Sequence, residues 1–365
     1  MSIILFLVIL AVLIAVHEFG HFITAKLSGI RVDEFAIGFP PKLFSWKSGE
    51  TRYSLNIIPF GGFVKIYGED PSETPDTGPD QERSFANKPR PVQALVLSAG
   101  VLGNVIFAWL ILSIALMIGL PAPADYAGEK LLQDPKVTVL GTLPGSPAEK
   151  AGLVPGDVIQ SISSGKEILP LPFSVDEVRN FIAGNPDQKL SIEIKRGTES
   201  KVISVTAIDN IISDRPGIGV SLGSVGILQA SGLAAFYEGA KLTLNSVYQV
   251  AKGLLLFLKD ALQGAANLSQ ITGPVGIVNL VGEASEFGFA YLLGFTAFIS
   301  INLAVINLLP FPALDGGRLL FVGIEAIIRR PINARIQNVA NLVGFCLLIL
   351  LMLIVTYQDI LRLIK

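Results

Sequence analysis

The sequence predicts an α-helical multi-pass membrane protein with four transmembrane helices and an α/β module inserted between the second and the third. Three observations predict it. The 365 residues are 51% hydrophobic and only 16% charged, against roughly 25% charged in an ordinary soluble domain, and the mean hydropathy is +0.58. Four apolar runs, Ser2–Thr24, Val92–Leu120, Phe289–Leu309 and Asn338–Tyr357, approach or exceed the roughly 20 residues that a helix needs to cross a bilayer. Between the second and third runs, short strand and helix signals replace the apolar pattern.

The first run holds no positively charged n-region and no small-residue cleavage site, and it carries His17-Glu18 inside it. It therefore reads as a retained helix over 1–28, not as a cleaved signal. Residues 29–91 read as strands and a loop. Arg31–Ile37, Thr51–Ile57 and Gly62–Tyr67 are short, rich in β-branched and aromatic residues, and separated by Gly and Pro. Glu69–Arg83 is rich in Pro, Glu and Asp and reads as a loop. The second transmembrane helix takes 92–120.

The module over 125–210 begins with a strand at Val137–Leu140 and a short helix at Pro147–Ala151 that ends at Gly152. After the Pro155-Gly156 turn come a strand at Asp157–Ser163, a helix at Asp176–Ala183, and the strand pair Leu190–Arg196 and Lys201–Val205 around Gly197. Residues 211–288 read as an amphipathic region. Ala234–Leu262 sets Lys241, Lys252 and Lys259 against Leu, Val and Phe, which suits either a helix in the membrane interface or one packed under the module. Ile271–Val278 reads as a Gly/Pro loop. The third transmembrane helix and its continuation occupy 289–330, and the fourth with its tail 331–365.

Short loops set the expected orientation. Lys26, Arg31, Lys88 and Arg90 flank the first two spans on their shared side, and Arg318, Arg329, Arg330 and Arg335 lie between the last two. The excess of Lys and Arg on the cytoplasmic side of membranes puts both segments inside and the α/β module outside. A net charge of -2 argues against a nucleic-acid binder that relies on a basic surface. The one cysteine, Cys346, excludes an intrachain disulfide framework and a cysteine-cluster metal site.

The chemistry-bearing residues are few. The chain has two histidines, both in His17-Glu18-Phe19-Gly20-His21. On a helix, residues i and i+4 share a face, so both imidazoles can reach one ion, while Glu18 stands about 100° away and can approach a metal-bound water. Ionisable groups at membrane depth cost at least a few kcal/mol each, so three of them together imply a shared purpose. A catalytic zinc takes three protein ligands and keeps a fourth position open. With no third histidine, and with Cys346 in an apolar run, a carboxylate must complete the set. Asp315 fits best, because Pro310 and Pro312 break the helix there and irregular backbone at membrane depth lines protein-enclosed or wet space. The alternative for Asp315 is a helix cap for Gly316–Ile328. Glu325, about 15 Å further along a helix, is the rival carboxylate.

His17–His21 together with Asn307-Leu-Leu-Pro-Phe-Pro-Ala-Leu-Asp315-Gly-Gly resembles the site-2 protease family of intramembrane zinc proteases. The run Gly145–Ile162 resembles a PDZ domain, and a single PDZ domain between the second and third spans resembles the bacterial regulator-of-sigma-E-protease branch. The resemblance implies a zinc endopeptidase with His17, His21 and Asp315 as ligands and Glu18 as base. It implies that Asn302, Asn307, Pro310 and Pro312 hold an unwound substrate segment. It also implies that Pro59–Lys65, with Gly62, Phe63 and Val64, forms a membrane-associated β-hairpin presenting an edge strand. For Asn307 the chemistry alone leaves open whether it binds substrate backbone or local backbone groups. Ser98–Asn104 stands where the family has G-P-x-x-N, with Val101 in place of Pro, and its small residues also suit close helix packing.

By the same resemblance the substrates are single-span membrane proteins already trimmed outside, of the anti-sigma-factor type, and remnant signal peptides. The partners are the lipid bilayer and a peptide or substrate ectodomain at the PDZ domain, which either adds a strand or acts only as a steric plug. The location implied is the bacterial inner membrane, with the active site in its cytoplasmic half. The competing reading is a membrane-bound PDZ scaffold or chaperone with a structural zinc, closed by four protein ligands. Metal transport would want ligands spread over several spans.

Overall fold

A computed structural model of the chain describes residues 2–69, 80–123, 132–165, 167–197, 199–212, 215–264 and 272–364. In chain order its elements begin with α1 (Ser2–Leu27), β1 (Val32–Ser48), β2 (Thr51–Ile66) and α2 (Arg90–Ile118). There follow β3 (Leu120–Pro123), β4 (Leu132–Thr142), α3 (Pro147–Lys150), β5 (Val158–Ser164), β6 (Glu167–Ile168), α4 (Val175–Gly184), β7 (Lys189–Arg196) and β8 (Glu199–Thr206). The remainder is β9 (Ile208–Ile212), β10 (Arg215–Gly217), β11 (Val220–Leu228), α5 (Leu233–Leu262), α6 (Pro274–Glu286), α7 (Phe289–Asn307), α8 (Asp315–Ile328) and α9 (Ala334–Ile364). Two compact units result: residues 1–113, 236–288 and 292–365 form one, and residues 114–235 with 289–291 the other.

In the first unit, α1, α2, α7 and α9 are long and apolar enough to cross a membrane, at the four places the hydropathy predicts. Glycines let α1 and α2 approach. A Cβ at Gly20 would stand 2.2 Å from the Ala99 carbonyl oxygen, and one at Gly103 would stand 3.1 Å from that of Val16. Small residues at such crossings supply the packing that binds helices in lipid, where no hydrophobic drive exists. On α7, Ser300 is buried and its hydroxyl donates to the Asn104 carbonyl at 2.9 Å. α5 docks its first half on α2: the Trp109 indole donates to the Phe236 carbonyl at 2.8 Å, and Leu242, Thr243 and Ser246 are buried. Its other face leaves Leu244, Tyr248 and Leu255 exposed.

The hairpin contains the three expected strand segments and adds a fourth. β1 runs through Gly38 and Pro40-Pro41 to Ser48, and β2 runs through Pro59 to Ile66. Val32–Ile37 is opposed by Gly62–Ile66 on one side and by Arg52–Leu55 on the other, and Lys42–Ser48 adds a further rank against Thr51–Asn56. The Gly-Phe-Pro-Pro sequence signals a turn, and the chain does reverse there: Glu34–Ile37 and Phe44–Lys47 flank Arg52–Leu55 in opposite directions. Residues 70–79 of the predicted loop lie outside the described residues.

The predicted loop at 271–278 is corrected. Its first residue lies outside the described residues, and from Pro274 on the chain is α6, with Pro274 in the first turn after Gly273. Proline is favoured there because its missing N–H is one that a helix start leaves unpaired anyway. The Gly-Pro pair marks a start, not an interruption.

The second unit is the inserted α/β domain. Its sheet has the order β3-β11-β4-β5-β7-β8, with β6 against β5. On β7 the alternation is clean: Leu190, Ile192 and Ile194 are buried and meet Ile159, Ile162 and, from α4, Val178, Phe181 and Ile182. α4 starts with a reciprocal cap, since Glu177 N–H donates to the Ser174 hydroxyl and the Ser174 N–H to the Glu177 carboxylate. The Gly156-Asp157 turn is fixed by charge. Asp157 is fully buried and takes two 2.7 Å bonds from the Arg196 guanidinium. Strand β11, beyond residue 210, pairs with both β3 and β4, so the sheet runs past the boundary that the strand signals suggest. Glycines at 217, 219, 223 and 226 hide it from pattern reading.

Candidate metal centre

The centre stands on α1, the loop before α8, and the glycine face of α2. His17 and His21 are one helical turn apart on the buried face of α1. Asp315 opens α8 after Leu308–Leu314, a segment that turns back sharply on itself. Ala313 sits there at φ +75°. A Cβ at Gly316 would fall 2.2 Å from the Leu309 carbonyl oxygen, and one at Gly317 would fall 2.2 Å from that of Phe311. Two glycines are thus required for the segment to fold over the helix start. Two residues of α9 hold its outer side: Asn341 Oδ1 accepts from Ala313 N–H at 3.2 Å, and a Cβ at Gly344 would meet the Pro312 carbonyl oxygen at 2.4 Å.

Three potential ligand atoms converge. His17 Nε2 lies 3.0 Å and His21 Nε2 3.2 Å from Asp315 Oδ2, and the two Nε2 atoms are 3.2 Å apart. His21 Nδ1 donates to the Val96 carbonyl at 2.8 Å, which leaves its Nε2 with a lone pair. His17 Nδ1 is 3.3 Å from the Asn104 amide, whose Oδ1 is buried and unpaired. Amide oxygen and nitrogen are nearly interchangeable in shape. With Oδ1 turned to His17, both groups are satisfied and His17 Nε2 also presents a lone pair. Asp315 Oδ2 is itself buried without a donor. Three lone pairs facing one another at this spacing repel unless a cation lies among them. A tetrahedral zinc with ligands at about 2.0–2.1 Å has ligand–ligand edges of about 3.3 Å, so the residues fit that ion. Among the described residues they form the one cluster of three or more such side chains close enough to share an ion.

Around this cluster is a cavity of about 470 Å³ lined by His17, Glu18, His21 and Asp315 and also by Gly62, Phe63 and Val64 of β2. The last strand segment is pressed close to the acid: a Cβ at Gly62 would lie 3.3 Å from Glu18 Cγ. Asn302, Asn307, Pro310 and Pro312 do not line this cavity. Asn302 donates to the Phe298 carbonyl of its own helix at 2.8 Å, Asn307 closes α7, and Pro312 packs on Gly344. The rival carboxylate Glu325 is engaged elsewhere, with Arg90 at 2.8 Å and Gln337 at 3.0 Å.

Sequence reasoning placed Gly100 and Asn104 in a family motif without a stated role and assigned none at the site to Asn341, Glu69 or Arg318. A Cβ at Gly100 would stand 2.3 Å from His21 Nε2, so this glycine makes room for the imidazoles. An asparagine inside an apolar span, four residues after that glycine, was the available signal for Asn104.

Residues 5–351 match the model of peptidase family M50. A relative from Clostridium perfringens is 40% identical over 99% of this chain and 98% of its own length. The zinc metalloprotease RasP of Oceanobacillus iheyensis is 30% identical and the regulator of sigma-W protease RasP of Bacillus subtilis 32% identical, each covering 99% of both chains. The PDZ domain of the SdrC-like protein from Listeria monocytogenes is similar over 25% of this chain and 90% of its own length, at 22% identity and a TM-score of 0.21. The matched span takes in His17, Glu18, His21 and Asp315 alike, and the chain belongs to peptidase family M50, the site-2 protease family of intramembrane metalloproteases.

Proposed function

We propose that this chain cleaves peptide bonds within transmembrane segments at a zinc ion held by His17, His21 and Asp315, with Glu18 as general base. The observation that carries the reading is the convergence of three potential ligand atoms within 3.2 Å of one another beside a cavity that a carboxylate enters. Zinc held there would supply a Lewis acid and would acidify a water. Glu18, in the wall of the same cavity, would accept a proton from the attacking water and return it to the leaving amine. Val96 and Asn104 keep both imidazoles in the tautomer that leaves Nε2 free. A scaffold with a structural zinc would want a fourth protein ligand, and the cavity occupies that side of the cluster.

A helical substrate hides its carbonyls in its own hydrogen bonds, so the scissile segment must be extended when it reaches Glu18. The Gly62–Ile66 segment is paired with Val32–Ile37 and its residues line the cavity, which supports capture of an unwound segment as an added strand. The substrates are single-span proteins already trimmed outside, of the anti-sigma-factor type. One relative's name, regulator of sigma-W protease, supports that class. The distribution of Lys and Arg supports a cytoplasmic-membrane location with the α/β domain outside, where it would bind or exclude substrate ectodomains. The test is Glu18→Gln assayed on a model single-span substrate, with bound zinc measured in the same preparation. Loss of cleavage with zinc retained is expected; continued cleavage overturns the mechanism.

A further inference from the structure

The metal site opens onto more than one space, and one ion pair stands where the spaces meet. The cavity of about 470 Å³ at His17, Glu18 and Asp315 adjoins a groove of about 480 Å³ along Phe63–Glu69. A third cavity, of about 210 Å³, lies among the start of α2, α8 and α9, with Arg90, Gln93, Glu325 and Gln337 in a wall that is otherwise largely apolar. Glu69 and Arg318 line all three, and Arg318 Nη1 is bonded to Glu69 Oε1. Arg318 stands three residues past Asp315, hence one turn away on the same face of α8, and Glu69 follows the end of β2. The pair therefore ties the segment beside the substrate edge to the helix that carries Asp315.

We propose that the Glu69–Arg318 ion pair is a door between the metal site and the third cavity: closed, it separates the cluster of His17, His21 and Asp315 from that cavity, and open, it admits water and ions by that route. The inference rests on the zinc reading above. The third cavity suits the far side of such a door. Its walls offer donors and acceptors, and Glu325, though buried, is fully engaged by Arg90, Gln337 and the Ile332 N–H at 2.8 Å. That set of bonds leaves the wall standing while the pair at its edge moves. The Arg318 side chain is 45% exposed and that of Glu69 20%, so the pair is held by a partly screened attraction. Such pairs are worth up to about 1 kcal/mol, which is about a five-fold population difference between closed and open. A door of that strength opens often and still slows exchange.

The experiment follows zinc exchange in the full-length protein in lipid nanodiscs. Zinc loss is timed after adding excess EDTA, and zinc uptake is timed after adding the ion to the stripped protein. If the door is as described, Glu69→Gln and Arg318→Gln each speed both loss and uptake by about five-fold, leaving the zinc affinity unchanged. The charge-swapped double variant, Glu69→Arg with Arg318→Glu, returns both rates to within about two-fold of the parent. Unchanged rates in both single variants at full zinc content overturn the proposal. So does faster loss without faster uptake, because the pair then tunes the ion's field and not its access. A double variant as fast as the singles overturns it as well. A parent protein that takes up no zinc at all sinks the metal reading itself, and that outcome is distinct from the others.

Discussion

Asn341 of α9 accepts a hydrogen bond from the backbone of Ala313 at 3.2 Å, two residues before the carboxylate that completes the metal cluster. Ala313 is held at φ +75°, a conformation a non-glycine residue adopts only when its surroundings enforce it. Asn341 is part of that enforcement. Asn341→Ala is expected to loosen the segment and to lower zinc affinity by about ten-fold, the lower end of what loss of a ligand's supporting bond costs. Asn341→Asp, which keeps the acceptor, is expected to stay within about three-fold of the parent by the same comparison. Equilibrium zinc titration against a competing chelator reads both.

Asn104 supports the other side of the cluster through His17 Nδ1. Its substitution by Leu keeps the volume and removes the partner, so the imidazole can turn or exchange tautomers. Zinc affinity is expected to fall about 10- to 100-fold, while Asn104→Asp, still an acceptor, retains most of it. Nitrogen-15 chemical shifts of the His17 ring in the metal-free protein check the cause. They are expected to report a single Nδ1–H tautomer in the parent and a mixture in Asn104→Leu.

How much of this was legible depended on how far apart the partners lie in the chain. The His17/His21 pair was legible because helical spacing alone puts i and i+4 on one face. Asp315 was legible by elimination, since two histidines and an apolar-run cysteine left only a carboxylate, and the broken helix at Pro310 and Pro312 marked the depth. The Lys42–Ser48 rank was not, because Pro40-Pro41 reads as an end and only the opposing residues Thr51–Asn56 show that pairing continues. β11 was missed because its glycines imitate a loop, and its identity as a strand comes from β3 and β4 on either side. Glu69 and Arg318 are 249 residues apart, and no local pattern announces such a pair. Asn302, a substrate-binding position by the family resemblance, bonds to the Phe298 carbonyl of its own helix.

Outside the membrane-spanning helices, Glu50 closes the root of the hairpin. Its carboxylate takes 2.7 Å bonds from Lys26 and from Arg83, and these hold its pKa below the ordinary glutamate value, the Lys26 bond most strongly. A carboxyl group whose pKa is lower when folded contributes stability above its unfolded value, about 4.3, and loses it as pH falls through the lowered value. Hydrogen exchange at the Lys26–Glu50–Arg83 junction is therefore expected to accelerate as pH drops below about 4, after correction for intrinsic exchange. Glu50→Gln should already exchange fast at neutral pH and show no further acid step.

Gly100 offers the sharpest test of how the centre is packed. A methyl group there would stand 2.3 Å from His21 Nε2 and 2.7 Å from His17 Cε1, so it occupies space the ligand rings need. Withdrawal of the helix would give up the close packing of Ala99 and Gly103 on α1 at Gly20 and Val16. A clash with backbone-anchored rings must then be relieved by rotating an imidazole away from Asp315. Gly100→Ala is expected to cost more than 100-fold in zinc affinity, beyond the usual range for a supporting residue, with the helices still assembled. Gly103→Ala supplies the control on the same helix: its methyl's tightest contact would be the Val16 carbonyl oxygen at 3.1 Å, which a shift of a few tenths of an ångström relieves. Zinc titration on both variants should separate them by at least about ten-fold. Equal losses would mean that helix spacing, and not room at the rings, is what Gly100 protects.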